Sequence, residues 1–130
     1  MTLTYSIDPG SRLVTILYAQ HPTIEEWRQT MLRIFADPQY RPGFAFLGDR
    51  RAVSTPPDRA YIQGTIEFGE AHRTEFQGAR WATLVSTSAS YGMARMGQAL
   101  GEQGPTELGA FTDPAAALRW LRGETEEQTD

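Results

Sequence analysis

The chain contains no cysteine, no lysine and no asparagine among its 130 residues. Without cysteine it forms no disulfide, offers no thiolate to a metal and has no thiol nucleophile, and its redox compartment is left open. Without lysine it has neither a Schiff-base amine nor the ammonium that a phosphate-binding loop uses. All twelve basic residues are arginine, in keeping with the coding bias of a GC-rich genome. Long apolar runs are also missing. The start, Met1 to Ile7, has no basic head and no signal-like apolar stretch, and nothing approaches the ~20 apolar residues of a membrane span. These absences predict a soluble cytoplasmic protein with no integral membrane association. Positive charge is scarce as well. Twelve basic against sixteen acidic residues give a net charge of −4, and acids crowd the end from Glu124 to Asp130, which argues against a nucleic-acid surface.

What remains is enough for one ordinary core, with 40% hydrophobic residues and no repeat or linker. Leu3, Tyr5 and Ile7 alternate with polar residues as in a half-exposed strand. Asp8-Pro9-Gly10-Ser11 supplies a turn, and Leu13 to Tyr18 reads as a more buried partner strand. Thr23-Ile24-Glu25-Glu26 matches a capping box, and Trp27, Met31, Ile34 and Phe35 recur at helical spacing behind it. Phe44 to Asp49 is a short strand that is apolar on both faces. A second helix is expected from a Ser54 or Thr55 cap to about Arg73, weakened by Gly64 and Gly69.

The stretch from Arg80 to Arg95 is the most informative. Trp81 to Val85 reads as a buried strand, and it feeds a serine-rich turn. A helix follows, capped by Ser88 or Ser90, with Met93, Met96, Gly97 and Leu100 on one stripe. Thr106 to Phe111 makes a last strand, and Asp113-Pro114 opens a last helix. The expected fold is α/β, in the order β-β-α-β-α-β-α-β-α. Its sheet is mixed and mostly parallel, with an N-terminal antiparallel hairpin. The domain covers residues 1–122, and residues 123–130 form an acidic disordered tail.

These strands, with Tyr91-Gly92-Met93-Ala94-Arg95-Met96 and the closing pattern from Phe111 to Leu121, resemble the STAS-type domains, and among them the SpoIIAA-like (STAS/SEC14-like) family. The resemblance covers nearly the whole chain. It implies a non-catalytic regulatory or protein-interaction module in which a serine or threonine at the start of the helix after the central strand is phosphorylated, here Ser54 or Thr55. Val53 and Pro56 depart from the family pattern around that position. The SEC14-like side of the resemblance implies the alternative, a carrier of a small amphipathic, lipid-like ligand.

Read from the residues themselves, Asp49, Arg50 and Arg51 at a strand end, with Ser88, Ser90, Tyr91, Gly92 and Arg95 around a helix start, are candidates to hold an anion. Tyr61, Ile66, Phe68, Met93 and Met96 are candidates for an apolar groove or for a core or dimer face. With Arg50 and Arg51 adjacent, Asp49 reads more readily as half of an ion pair. His21 and His72 lack ligand partners nearby, and neither a nucleophile elbow nor a phosphate-binding loop occurs, so no enzyme, metal or cofactor is expected. The partner is expected to be a protein or a small amphipathic ligand, with a homodimer open.

Overall fold

The computed structural model describes residues 2–124. The elements run β1 (Leu3–Asp8), β2 (Leu13–Tyr18), α1 (Ile24–Ala36), β3 (Ala45–Asp49), α2 (Arg59–Ala71), a short α3 (Arg73–Phe76), β4 (Arg80–Leu84), α4 (Ser88–Leu100), β5 (Glu107–Phe111) and α5 (Pro114–Leu121). The five strands lie side by side in chain order, with β1 antiparallel to β2 and every later pair parallel. Three successive crossovers step the same way across the sheet, so right-handed connections put α1, α2 and α4 on one face. α5 turns back under the other, against β3, β4 and β5.

Strand alternation divides the core accordingly. Val14, Ile16, Phe46 and Trp81 pack beneath the three helices, and Leu47, Ala82, Leu84 and Phe111 pack against Trp120 and Ala117 of α5. The helix starts follow local chemistry. The capping box of α1 forms as expected: the Glu26 N–H donates to Thr23 Oγ1 at 3.0 Å, and the Thr23 N–H donates to Glu26 Oε1 at 2.8 Å. At α5 the Asp113 carboxylate accepts from the Ala115 N–H, with Pro114 at the first helical position.

Two expected caps are corrected. α2 does not begin at Ser54 or Thr55 but after Asp58, whose carboxylate accepts from the Tyr61 N–H at 2.8 Å. The reason is the proline pair. A residue followed by proline is pushed out of the helical region, so Thr55 before Pro56 and Pro56 before Pro57 stay extended. Asp58 is then the first residue free to cap. α4 is capped by Thr87, whose hydroxyl accepts from the Ser90 N–H at 3.1 Å, rather than by Ser88 or Ser90. α2 also ends earlier than expected, at Ala71, and a separate turn of helix carries Phe76 into the core. Of the expected tail, Gly123 adopts a left-handed conformation and Glu124 pairs with Arg122, while 125–130 lie outside the described residues.

Candidate functional site

Period 2 along β3 decides what reaches the helix side of the sheet. Phe46 faces the helices and Leu47 faces α5, so Gly48 and then Arg50 come up under the helices. The Arg50 N–H extends the ladder by donating to the Leu84 carbonyl at 2.8 Å. Its side chain is buried, with the residue only 4% exposed.

Asp49, on the opposite side, is taken by Arg51, whose Nε and Nη2 donate to the carboxylate at 3.0 and 2.8 Å. The Arg51 hydrogen bonds hold the Asp49 carboxyl below its usual range. Arg50 is thereby left without a carboxylate among the described residues. Its Nη2 donates to His21 Nδ1 at 3.1 Å and to the Thr55 carbonyl at 3.4 Å, its guanidinium lies 4.8 Å from the centre of the Tyr18 ring, and its Nε has no acceptor.

Between α2, α4 and the sheet lies a cavity of about 130 Å³. Trp81, Thr83 and Leu108 floor it. Ile62, Thr65 and Ile66 of α2 and Met93, Ala94 and Gly97 of α4 wall it, and Tyr18, Arg50, Tyr61 and Ser90 cluster at the end where the strands finish and α2 and α4 begin. Ala94 and Gly97 on the facing side of α4 leave space beside Met93, and Ser90 is the one buried residue of that helix. α2 leans on its neighbours instead of on the strands. A Cβ at Gly64 would sit 2.8 Å from Ile24 Cγ1, so glycine there lets α2 close onto α1.

The polar end is rich in donors. Burial raises the Tyr18 and Tyr61 hydroxyls above the usual tyrosine range, with Arg50 opposing, so both keep their protons at neutral pH. The Tyr61 hydroxyl, beside Tyr18 and Arg50, and Ser90 Oγ are buried and, like Arg50 Nε, make no close, well-aligned hydrogen bond. A buried polar group left unpaired costs about 1–3 kcal/mol, and here three such groups belong to residues that line one cavity.

Burial and the Arg50 charge hold the His21 pKa below its ordinary 6.5 against a weaker opposing pull from Asp58, so the ring stays neutral and its Nδ1 accepts from Arg50. The unfolded chain protonates this histidine more readily than the folded one does. Stability therefore falls as pH drops through 6.5 towards the lower folded value. Urea midpoints at pH 7.5 and 5.5 should differ less in His21→Gln than in the wild type, and an unchanged difference would remove His21 from this role.

The residues singled out from sequence separate into distinct places. Arg50, Ser90, Tyr61, Ile66 and Met93 meet at the cavity; Ser88, Tyr91, Gly92, Arg95 and Met96 do not line it, and neither do Asp49 and Arg51. Gly92 is exposed, and a Cβ there would meet nothing within 4 Å, so close approach does not explain this glycine. Phe68 packs in the core against Trp27 and Phe35. Ser54 and Thr55 are exposed in the loop before α2, clear of any helix start. Of the expected stripe on α4, Met93 and Gly97 line the cavity and Met96 and Leu100 do not. Met93, Ala94, Gly97 and Gln98 face the cavity, and Leu100 is exposed. His21, Tyr18, Thr83 and Gln98 were not legible as site residues. A signal for Arg50 was present, because one further step of strand alternation after Gly48 points it inward.

Among the described residues no group of three histidine or acidic side chains is placed to hold a metal ion, and no helix is long and apolar enough to cross a membrane. No protein-family model and no curated protein matches the chain. A solved structure does match. It is the crystal structure of an uncharacterized protein of the DUF3478 family from Shewanella loihica PV-4, with a SpoIIAA-like fold. The two agree with a TM-score of 0.59 over 92% of this chain and 93% of that one, at 18% sequence identity.

The fold is SpoIIAA-like. At that identity the two proteins share an architecture, and the side chains at the cavity are this chain's own. Within the SpoIIAA-like sheet, the segments that follow β3 and β4 leave from one edge, joined by a hydrogen bond from Ser86 Oγ to the Arg51 carbonyl at 2.9 Å. Arg50 and the start of α4 therefore share a rim.

Proposed function

We propose that this SpoIIAA-like domain is a non-catalytic binding module that holds a small amphipathic molecule between α2, α4 and the sheet. The polar head of the ligand meets Arg50, and its apolar body lies along Ile62, Ile66, Met93 and Ala94. The observation that supports this reading is the set of three buried donors without close partners, Arg50 Nε, Tyr61 Oη and Ser90 Oγ, all on residues that line the cavity. A cavity water would satisfy some of these donors but brings no charge, and a desolvated guanidinium calls for an anion. The side chains at the polar end are donors with neutral-pH protons, so they suit recognition and leave the cavity without a base to activate a nucleophile.

The regulatory reading stays within the same module, because the rim that holds Arg50 also carries the exposed loop with Ser54 and Thr55. Phosphorylation there loses the helix-start argument, since α2 begins at Arg59.

Filling the cavity tests the binding reading. Ala94→Leu should stabilise the ligand-free protein by about 1 kcal/mol, a rise of roughly 4 °C in Tm, because it buries a side chain in existing space. The same change should abolish the Tm increase that small amphipathic compounds give the wild type. Equal ligand responses in the two proteins, or none in the wild type, would remove the cavity as the binding site.

A further inference from the structure

Resting on the binding reading above, we infer that the ligand is a monocarboxylate with a body about the size of one ring. Charge sets the head group. Arg50 is the one cationic side chain lining the cavity among the described residues; the neighbouring Arg51 is held by Asp49, and Arg95 lies outside the lining. A phosphate monoester carries about −1.5 to −2 charges at pH 7 and would enter with its charge half compensated, whereas a carboxylate matches a single guanidinium.

Donor geometry agrees with the charge. His21 and the Thr55 carbonyl occupy Nη2, and the Tyr18 ring covers one face of the guanidinium. The Nε–H makes no hydrogen bond, and the Tyr61 and Ser90 hydroxyls belong to residues at the same end of the cavity, which brings the unpartnered donors there to three; the two oxygens of a carboxylate accept about four hydrogen bonds between them. No acceptor-only side chain lines this end to repel the anion; the nearest ring acceptor, His21 Nδ1, already faces Arg50.

Volume sets the body. The cavity measures about 130 Å³, and an apolar protein cavity of about 150 Å³ takes up benzene. Trp81 on the floor and Ile62, Ile66 and Met93 on the walls give a ring flat and adaptable surfaces. A chain of lipid length overfills this space and would have to leave part of its apolar length in water.

Isothermal titration at pH 7.5 with four probes separates the possibilities. Benzoate is expected to bind at one site at least tenfold more tightly than benzyl alcohol, phenyl phosphate or decanoate. Arg50→Gln should raise the benzoate Kd at least tenfold, to the level of benzyl alcohol, and leave benzyl alcohol within twofold of its wild-type value. Ser90→Ala, which removes a hydroxyl and nothing else, should raise the benzoate Kd severalfold and serves if the arginine variant does not fold. If benzyl alcohol, phenyl phosphate or decanoate binds at the cavity as tightly as benzoate, the monocarboxylate assignment is overturned and the binding module stands. If none of the four binds at millimolar concentration, both fall.

Discussion

Replacing Arg50 with methionine is expected to abolish anion binding while raising the stability of the ligand-free protein by about 1 kcal/mol. A buried arginine that served the fold would behave in the opposite way, because breaking a buried charge network costs about 3–5 kcal/mol. The difference lies in what surrounds this guanidinium. It is 4% exposed, no carboxylate pairs with it among the described residues, and its Nε donates to nothing. Desolvating such a charge costs several kcal/mol. The compensation is modest: a stacking contact on Tyr18, worth about 2 kcal/mol when desolvated, and two hydrogen bonds of which one is 3.4 Å long. The acceptors left behind sit on half-buried His21 and exposed Thr55, where water can serve them. Methionine keeps much of the stem's apolar bulk without the charge. Urea unfolding of the two proteins measures the change, and a loss of 3 kcal/mol or more in Arg50→Met would make the residue structural.

Trp120→Ala is expected to cost about 4 kcal/mol, the largest loss of any single change considered. Trp120 is 1% exposed and packs on Phe111, with the Arg80 guanidinium 5.0 Å over its ring and Arg80 Nη1 donating to its carbonyl at 2.6 Å. The fit is close. A Cβ on Gly109 would lie 3.0 Å from the indole, so the strand beneath has no side chain to fill the void that alanine leaves. Domains of this size are stable by only about 5–15 kcal/mol, and the expected Tm falls by roughly 15 °C. The cavity lies on the other face of the sheet. Below its lowered Tm the variant should therefore bind cavity ligands as the wild type does. A cost under 2 kcal/mol would show that α5 is not an essential cover, and a parallel loss of binding would show that the two faces are not independent.

The element order, the parallel sheet with its leading hairpin and the starts of α1 and α5 were legible because each has a local cause: alternation, a capping box, or an aspartate before proline. The start of α2 was misread because serine and threonine are good caps in isolation, and the effect of Pro57 on the residue before it outweighs that preference. The face of α4 was misread for a different reason. Met93, Met96 and Leu100 are its bulky residues, and bulk usually marks the buried side, whereas only Met93 of the three reaches the cavity, beside Ala94, Gly97 and Gln98, and Leu100 is exposed. Hydrophobic periodicity detects filled cores and is blind to cavities.

Arg50 shows both sides of the problem. In the sequence Asp49, Arg50 and Arg51 look like one ion-pair cluster, yet the strand continues one residue past Asp49. That single step separates Arg50 from the carboxylate that neutralises Arg51. The isolation of the charge is a consequence of period 2 and could be read from the chain. Its neighbours at the cavity, Tyr18, Tyr61 and Ser90, come from three other elements, and only the packing of the helices brings them together.

Methionine methyl signals give the most direct test of the cavity as a binding site. Of the four methionines, Met93 lines the cavity, Met31 is buried beneath α1, Met96 lies outside the lining, and Met1 is the first residue. In protein labelled with ¹³C at the methionine methyls, adding benzoate should shift the Met93 resonance through the ring current of the ligand and leave the other three in place. A shift confined to Met96 or Met1, or saturable binding with Met93 unmoved, would contradict it.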